Sequence, residues 1–401
     1  MNQLLERFCR YVQVETTANE DTTDYPSSPG QFELGRLLAD ELRQLGLQDV
    51  TVSDRGIVMA TVPATHPNAP TIAWLAHLDT SPEASGAGVK PQVVRDYDGG
   101  KLPLAANPAA VLEAPAYQGK TIITTDGTTL LGADDKAGVA VVMTAAARLL
   151  AENKPRGPVR LVFTCDEEIG RGTEHLDLDA IGATAAYTLD GEGAGVIENE
   201  TFSADLAEVV VTGVNIHPGL AYDRMVNALR VAGAFLAALP PDLSPERTRD
   251  REGFVHPYTI EGGVEQVKIK ILLRSFEASD LRSQEALLRE TAEKVAASHA
   301  GSRIDITVRE QYRNMAEYLS KEPRAVALAS KAYEACGVEP KFSSVRGGTD
   351  GSKLSEKGLP TPNLATGMHN FHSRLEFACL EEMESAVDVL LELAALWSQE
   401  S

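Results

Sequence analysis

Histidine and acidic residues occur in five short clusters, each at or near the end of a strongly apolar segment. The clusters are His77-Leu78-Asp79, Asp134-Asp135, Glu167-Glu168, Asp190 and His372. A lone His-x-Asp or Asp-Asp pair is common in solvated loops and carries little information. The repeated alternation of apolar strand and polar cluster indicates that these side chains converge. Together they would form a complete ligand set for two metal ions.

Metal-assisted hydrolysis is the chemistry that such a set supports. Nitrogen and oxygen ligands without thiolate favour zinc, with cobalt or manganese as substitutes. Two such ions close together would share a water molecule, lower its pKa and polarise a carbonyl oxygen. A carboxylate outside the metal shell must then carry a proton from that water to the leaving amine, and Glu167 is the candidate.

The spacing within each cluster suggests which residue binds metal and which one orients it or transfers a proton. Residues two apart in a strand face the same side, so His77 can bind a metal while the Asp79 carboxylate orients it. Asp134 precedes a predicted helix and is well placed to bridge two cations. Glu167 and Glu168 point in different directions, so that one can bind metal while the other moves a proton.

The segments that position these clusters alternate between strands and helices. Apolar residues with a helical period are followed by short apolar strands, which favours a largely parallel sheet with helices on both faces. The predicted helices cover residues 2–13, 31–46 and 137–152, and the predicted strands cover 56–62, 71–77, 159–164 and 185–189.

The pattern changes from about residue 204. The order strand, helix, two strands, helix, strand is that of a ferredoxin-like module. The α/β pattern then resumes, and the C-terminal segment carries the apolar face of a helix that docks onto a core. We therefore expect an α/β catalytic domain with a mixed, mostly parallel sheet flanked by helices, made of residues 1–203 and 316–401. Residues 204–315 would form an inserted ferredoxin-like α+β lid domain.

Composition excludes several classes of partner. The 401 residues carry 58 Asp and Glu against 37 Lys and Arg, a formal net charge of -21, which repels nucleic acid and anionic membranes. The N-terminus lacks the features of a secretory signal, and no apolar stretch reaches spanning length. Four scattered cysteines suit reduced thiols better than disulfides. We expect a cytoplasmic protein.

Seven segments together resemble the M20 zinc peptidases, and the resemblance extends from the first helix to the last. They begin at His77, Thr124, Asp166, Tyr187, Asn215, Arg346 and Asn370. Within that family the chain is most similar to the tripeptide aminopeptidases. The most specific segment is Thr124 to Gly138, which contains the Asp134-Asp135 pair.

The resemblance assigns a role to each cluster. It implies two Zn²⁺ ions per subunit, bridged by Asp134, with Asp79 supporting a ligand and Glu167 as the base. One zinc would be held by His77, Asp134 and Asp190, and the other by Asp134, Glu168 and His372. It also implies a cis peptide bond between Asp134 and Asp135, a rare feature away from proline.

Four residues in and beyond the inserted module would contact the substrate. By resemblance, His217 would reach the scissile carbonyl oxygen when the two domains close, and Arg274 and Arg346 would recognise the C-terminal carboxylate of the peptide. Asn227 would assist. From the residues alone, His217 could equally mark a turn, and Arg274 could pair with the structural carboxylate Glu277.

Two departures from the family pattern leave questions open. Cys165 stands where proline is expected, which would put an oxidation-sensitive thiol near the metals. His369 lies three residues before His372, so the identity of the second imidazole ligand is open.

The leading hypothesis is a dizinc aminopeptidase that releases the N-terminal residue from tripeptides, by attack of a metal-bridging water. The same chemistry would serve a dipeptidase, a carboxypeptidase or an N-acyl amino acid deacylase. A protein that only binds peptide or metal is the alternative from another class, although the intact ligand set and Glu167 disfavour it. The substrate would be a short peptide, and strand edges or helices of the module could mediate a homodimer.

Overall fold

A computed structural model describes residues 2–400 of the chain. The helices are α1 Gln3–Tyr11, α2 Pro29–Leu45, α3 Ala133–Ala151, α4 Leu178–Ile181, α5 Ala228–Ala238, α6 Ala278–Ser298, α7 Ala316–Leu319, α8 Arg324–Ala335, α9 Asp350–Glu356 and α10 Leu380–Trp397. The strands are β1 Gln48–Val52, β2 Val58–Val62, β3 Ile72–His77, β4 Gln92–Val94, β5 Lys101–Leu104, β6 Asn107–Glu113, β7 Ile122–Thr124, β8 Val159–Thr164, β9 Ala185–Glu192, β10 Val196–Thr201, β11 Ser203–Thr212, β12 Phe254–Gly262, β13 Gln266–Ser275, β14 Arg303–Tyr312, β15 Lys341–Val345, β16 Asn363–His369 and β17 Phe377–Cys379.

The chain divides into two compact units. Among the described residues, the smaller unit contains Glu200–Asn314 and Ser344–Gly348, and the larger unit contains the remainder. The larger unit thus begins and ends the chain. The short return of 344–348 to the smaller unit has no counterpart in the domain boundaries expected from the sequence.

A mixed sheet forms the centre of the larger unit, as the sequence predicts. Its strand order is β1-β2-β8-β3-β9-β16-β17-β7-β4. The parallel pairs β8·β3, β3·β9 and β9·β16 occupy the middle, and the outer pairs are antiparallel. Parallel strands end at the same edge of a sheet, so the residues that follow β3, β8 and β9 meet there.

Helices cover the sheet because its central strands are apolar on both faces. Every residue of β3 and β16 is buried, as expected for strands enclosed between layers. Helix α3 is made mostly of small and aliphatic residues after Lys136, and every residue from Ala133 to Ala146 is buried. The apolar face predicted for the C-terminal helix is also buried, and the Trp397 indole donates to the Tyr187 hydroxyl across 2.7 Å.

The smaller unit has the element order β11-α5-β12-β13-α6-β14, and its antiparallel sheet has the order β12-β13-β11-β14. Alternate residues of β13 are buried, which identifies the face that packs against the helices. The core of this unit includes Val209, Ile269, Phe235 and Leu288. This is the α+β arrangement that the sequence predicts.

None of the helices in the described part of the chain combines the length and apolar character needed to cross a membrane.

Gly138 illustrates how tightly α3 approaches the sheet. A Cβ atom at Gly138 would lie 1.9 Å from the Leu189 carbonyl oxygen and 2.3 Å from Asp135 Oδ1. We expect Gly138→Ala to lower the free energy of unfolding by about 1–3 kcal/mol, since backbone must move to admit the methyl group. Gly233 in α5 is the matched control because nothing lies within 4 Å of an added Cβ.

Thermal unfolding of both variants checks this prediction. Gly233→Ala should be neutral or stabilise the protein by about 0.5–1 kcal/mol, because alanine favours the helix. Equal midpoints for the two variants would contradict the close approach at Gly138.

Candidate metal centre

The clusters of the sequence lie at one edge of the central sheet. His77 is the last residue of β3, and Asp190 lies near the end of β9. Glu167 and Glu168 follow β8, and Asp134 lies at the start of α3. His372 comes from the loop that follows β16. Side chains far apart in the chain are thereby brought together by the parallel strands and the helix beside them.

Asp134 lies between the two histidines. His77 Nε2 is 2.9 Å from Asp134 Oδ1 and 3.5 Å from Asp190 Oδ1. His372 Nε2 is 3.3 Å from Asp134 Oδ2 and 2.8 Å from Glu168 Oε2. Each oxygen of Asp134 therefore faces a different imidazole. This is the arrangement of a carboxylate that bridges two cations.

The distances between these groups suit zinc ligands. Ligand atoms about 2.0–2.1 Å from a tetrahedral zinc ion are roughly 3.3 Å from one another. The four distances from the two Nε2 atoms to carboxylate oxygens lie close to that value. An imidazole nitrogen carries at most one proton, yet each Nε2 faces two carboxylates. In addition, Glu168 Oε1 is buried without a hydrogen-bond partner among the described residues. The donor set therefore fits a pair of metal ions.

Two further carboxylates, those of Asp79 and Asp135, contact the predicted metal-binding residues. Asp79 Oδ1 is 3.3 Å from His77 Nδ1, and the Asp79 carboxylate accepts the backbone N–H groups of Glu167 and Glu168. Asp135 accepts the His77 backbone N–H across 3.1 Å. The bond between Asp134 and Asp135 is cis, as the resemblance implies. Such contacts fix ring orientation and ligand position.

Glu376 performs a role that the sequence does not reveal. Its buried carboxylate accepts the backbone N–H groups of Leu131, Gly132 and Asp134 at 2.7–3.0 Å. Its position four residues after His372 is its only signal in the sequence. Glu376 thus joins the loop that carries His372 to the segment that carries Asp134.

Burial of these carboxylates shifts their pKa values. Burial raises the pKa of Glu168 to about 7, and the neighbouring Asp134 carboxylate adds to the shift. Burial and then the Asp350 carboxylate raise the pKa of Glu167 well above its ordinary range. Burial alone would raise the pKa of Asp134 too, but hydrogen bonds from His372 and His77 leave it lowered. Bound cations would offset the repulsion among these closely spaced carboxylates.

Glu167 lies beside His77 and Asp190. One of its oxygens, Oε1, accepts the backbone N–H of Asp350 across 3.2 Å. Carboxylate oxygens of Glu167 and Asp190 and a ring nitrogen of His77 lie within 4.8 Å of one another. Glu167 is therefore near enough to act on a group bound at the centre.

His369 points to other partners, which answers the question that its position raised. Its Nε2 is 2.6 Å from Glu382, and its ring stacks on Phe377. His372, not His369, faces Asp134 and Glu168. Cys165 is buried, and burial raises the pKa of its thiol.

The predicted substrate-binding residues all belong to the smaller unit. His217 Nδ1 accepts the Gly219 N–H, and the Asn227 side chain caps α5. Arg274 is buried and donates to the backbone carbonyls of Asp205 and Leu273. Their roles in substrate binding stay predictions.

Arg346 also belongs to the smaller unit. Its guanidinium donates to Thr248 and to the Glu252 carbonyl and lies over the rings of Phe202 and Phe254. A role in binding the substrate carboxylate likewise stays a prediction.

The chain belongs to peptidase family M20/M25/M40, whose model matches residues 123–396. A model of peptidase family M28 matches the shorter range 57–177. Among curated relatives, peptidase T of Geobacillus sp. (strain WCH70) is 43% identical over 408 residues, covering 100% of both chains. Peptidase T of Escherichia fergusonii is 42% identical over 408 residues, with the same coverage.

Solved structures of the family share the fold. The aminopeptidase PepT of Bacillus cereus ATCC 10987 superposes with a TM-score of 0.79 at 26% identity and covers 99% of this chain and 98% of its own. A tripeptidase of Staphylococcus aureus has a TM-score of 0.78 at 21% identity, with the same coverage. A dinuclear metal-binding M20 peptidase of Bacillus subtilis has a TM-score of 0.67 at 17% identity and covers 98% of this chain and 97% of its own.

Proposed function

We propose that the protein is a dizinc aminopeptidase that releases the N-terminal residue from tripeptides. The observation that carries the proposal is the position of Asp134, which offers one oxygen to the side of His77 and the other to the side of His372. Membership of a peptidase family and full-length similarity to peptidase T support the choice of substrate class.

His77, Asp134 and Asp190 would hold one zinc ion, and Asp134, Glu168 and His372 the other. A bound metal pair would supply an activated water nucleophile and polarise the scissile carbonyl. The ligand set contains nitrogen and oxygen donors only, which favours zinc and allows cobalt or manganese. Asp79 would keep His77 Nε2 directed at the centre by accepting from Nδ1.

Glu167 would act as the base. Because Oε1 is engaged by the Asp350 N–H, Oε2 is the atom that takes up a proton from the nucleophile and returns it to the leaving amine. The raised pKa of Glu167 suits this work, since burial makes its carboxylate a stronger base that takes up a proton more readily.

Substrate recognition would use the smaller unit. His217 would donate to the scissile carbonyl oxygen, with Asn227 assisting. Arg274 and Arg346 would bind the C-terminal carboxylate of the peptide, for which a guanidinium fork is well suited. Both arginines donate to backbone carbonyls in this structure, so substrate binding would replace some of those partners.

Two further proposals concern the cellular location and the oligomeric state of the enzyme. All four cysteines are free thiols, which supports a reducing, cytoplasmic location. A homodimer stays a prediction.

Comparison of free and blocked tripeptides tests the proposed specificity. We expect a tripeptide with a free amine to be cleaved after its first residue, and its N-acetylated form to be resistant, because an aminopeptidase recognises the amine. Chelation should abolish the activity and zinc should restore it. Mass spectrometry of the products identifies the bond that is cut.

The same assay separates the alternatives. Release of the C-terminal residue would indicate a carboxypeptidase, and preferential cleavage of the acetylated form would indicate a deacylase. Tight metal binding without turnover of any peptide would leave only a binding role.

A further inference from the structure

A small cavity lies beside Glu167, at the ends of β3, β8 and β9. It has a volume of about 10 Å³. Its wall contains the polar residues Thr164, Glu167, Thr188 and Asp350, and also Leu75, Ala76, His77, Asp135 and Asp190. All of these residues belong to the larger unit. The cavity adjoins the candidate metal centre, since His77 and Asp190 belong to both.

The Thr188 hydroxyl has no hydrogen-bond partner among the described residues. Thr188 is only 5% exposed, and its Oγ1 is fully buried. A buried hydroxyl without a partner costs about 1–3 kcal/mol. Such a group in the wall of a cavity indicates that the cavity contains its partner.

The size of the cavity and the polar groups in its wall suit one water molecule. A volume of about 10–15 Å³ is the smallest that holds a water, which needs 2–4 polar partners. Thr188 Oγ1 can donate to such a water or accept from it, and the Glu167 and Asp350 carboxylates can accept its two hydrogens. Apolar cavities stay dry, but this one has hydroxyl and carboxylate groups in its wall.

Asp350 connects the cavity to the position of Glu167. Its carboxylate accepts from the Thr164 hydroxyl across 3.3 Å, and its backbone N–H donates to Glu167 Oε1. The carboxylate also packs against Gly172, where an added Cβ would lie 2.1 Å from Asp350 Oδ2. Thr164 and Gly172 thus restrict the Asp350 side chain, while the Asp350 backbone N–H contacts Glu167.

We propose that this cavity binds one ordered water, which links the Thr188 hydroxyl to the carboxylates of Glu167 and Asp350 and fixes the orientation of Glu167. Thr188 and Asp350 are then positioning residues that act through Glu167. The proposal rests on the proposed role of Glu167 as the base. It adds to that role a reason why the carboxylate keeps one orientation in a site where the nearby Asp190 carboxylate repels it.

Thr188→Val and Thr188→Ser test the proposal in the metal-loaded enzyme. Valine keeps the shape of the side chain and removes the hydroxyl, whereas serine keeps the hydroxyl. We expect Thr188→Val to lower kcat by about 10–100-fold, the usual effect of losing such a supporting contact, with KM and metal content unchanged. Thr188→Ser should retain most of kcat. Thr16→Val is the matched control, because Thr16 Oγ1 is also buried without a partner but is not in the cavity wall.

Crystal structures of the wild-type enzyme and the valine variant provide an independent measurement. A water within hydrogen-bond distance of Thr188 Oγ1 and Glu167 in the wild type, lost in Thr188→Val, is the expected result. A metal ion in the cavity, an empty cavity, or a valine variant with wild-type kcat would overturn the proposal. Equal losses in the valine and serine variants, or loss of metal from either, would overturn it too. Wild-type cleavage of tripeptides tests the function separately, so the two proposals can fail independently.

Discussion

Glu167→Gln should keep both metal ions and lose nearly all turnover. The amide has the size of the carboxylate and can still accept the Asp350 N–H through its oxygen, but it cannot take up a proton. Loss of a general base typically lowers kcat by about 10²–10⁴-fold. We expect KM for a tripeptide to change little, because the substitution removes proton transfer and leaves the proposed metal ligands in place. Steady-state kinetics together with metal analysis checks this.

Glu174→Gln is the control for that substitution. Glu174 is a nearby exposed glutamate whose ion pair with Arg171 lies at the surface, so its loss should leave kcat unchanged. Wild-type turnover in Glu167→Gln would remove Glu167 from the role of base. Loss of metal from Glu167→Gln would instead make it a ligand.

Asp134→Asn should have the largest effect on metal content. The two carboxylate oxygens face different histidines, and an amide offers only one oxygen as a ligand. We expect metal content to fall from two ions to one or fewer per chain. Loss of several kcal/mol of transition-state stabilisation corresponds to a decrease in kcat of about 10³-fold or more. Elemental analysis after gel filtration, with tripeptide kinetics, measures both quantities.

His372→Ala provides the graded comparison. It removes a ligand from one side of Asp134 only, so the ion on the side of His77 should be retained more tightly than in Asp134→Asn. If Asp134→Asn bound two ions with unchanged affinity, Asp134 could not be the bridging group.

Much of the fold and the centre could be predicted because the strongest signals are local. An apolar strand that runs into His77 or Glu167 places that residue at the carboxyl end of a parallel strand, and all such ends meet at one edge. The helical apolar stripe of the C-terminal segment likewise predicted its buried face.

The remainder depends on pairings that local sequence does not encode. Antiparallel strands β4, β7 and β17 at the margin of the sheet are only three residues long, too short for a clear alternation. Glu376 accepts three backbone N–H groups, and Asp350 donates its own backbone N–H to Glu167. Nothing in the residue types marks such contacts. The choice between His369 and His372 required the path of the loop, because both lie beside carboxylates.

The contact of Glu376 with the amides of residues 131–134 has a consequence for biosynthesis. His372 and Glu376 are synthesised after every residue of the smaller unit. A nascent chain that ends before residue 372 therefore has His77 beside Asp134 but lacks both His372 and the carboxylate that holds the amides of residues 131–134. The arrangement of Asp134 between two imidazoles can therefore be completed only once the chain has been made through residue 376.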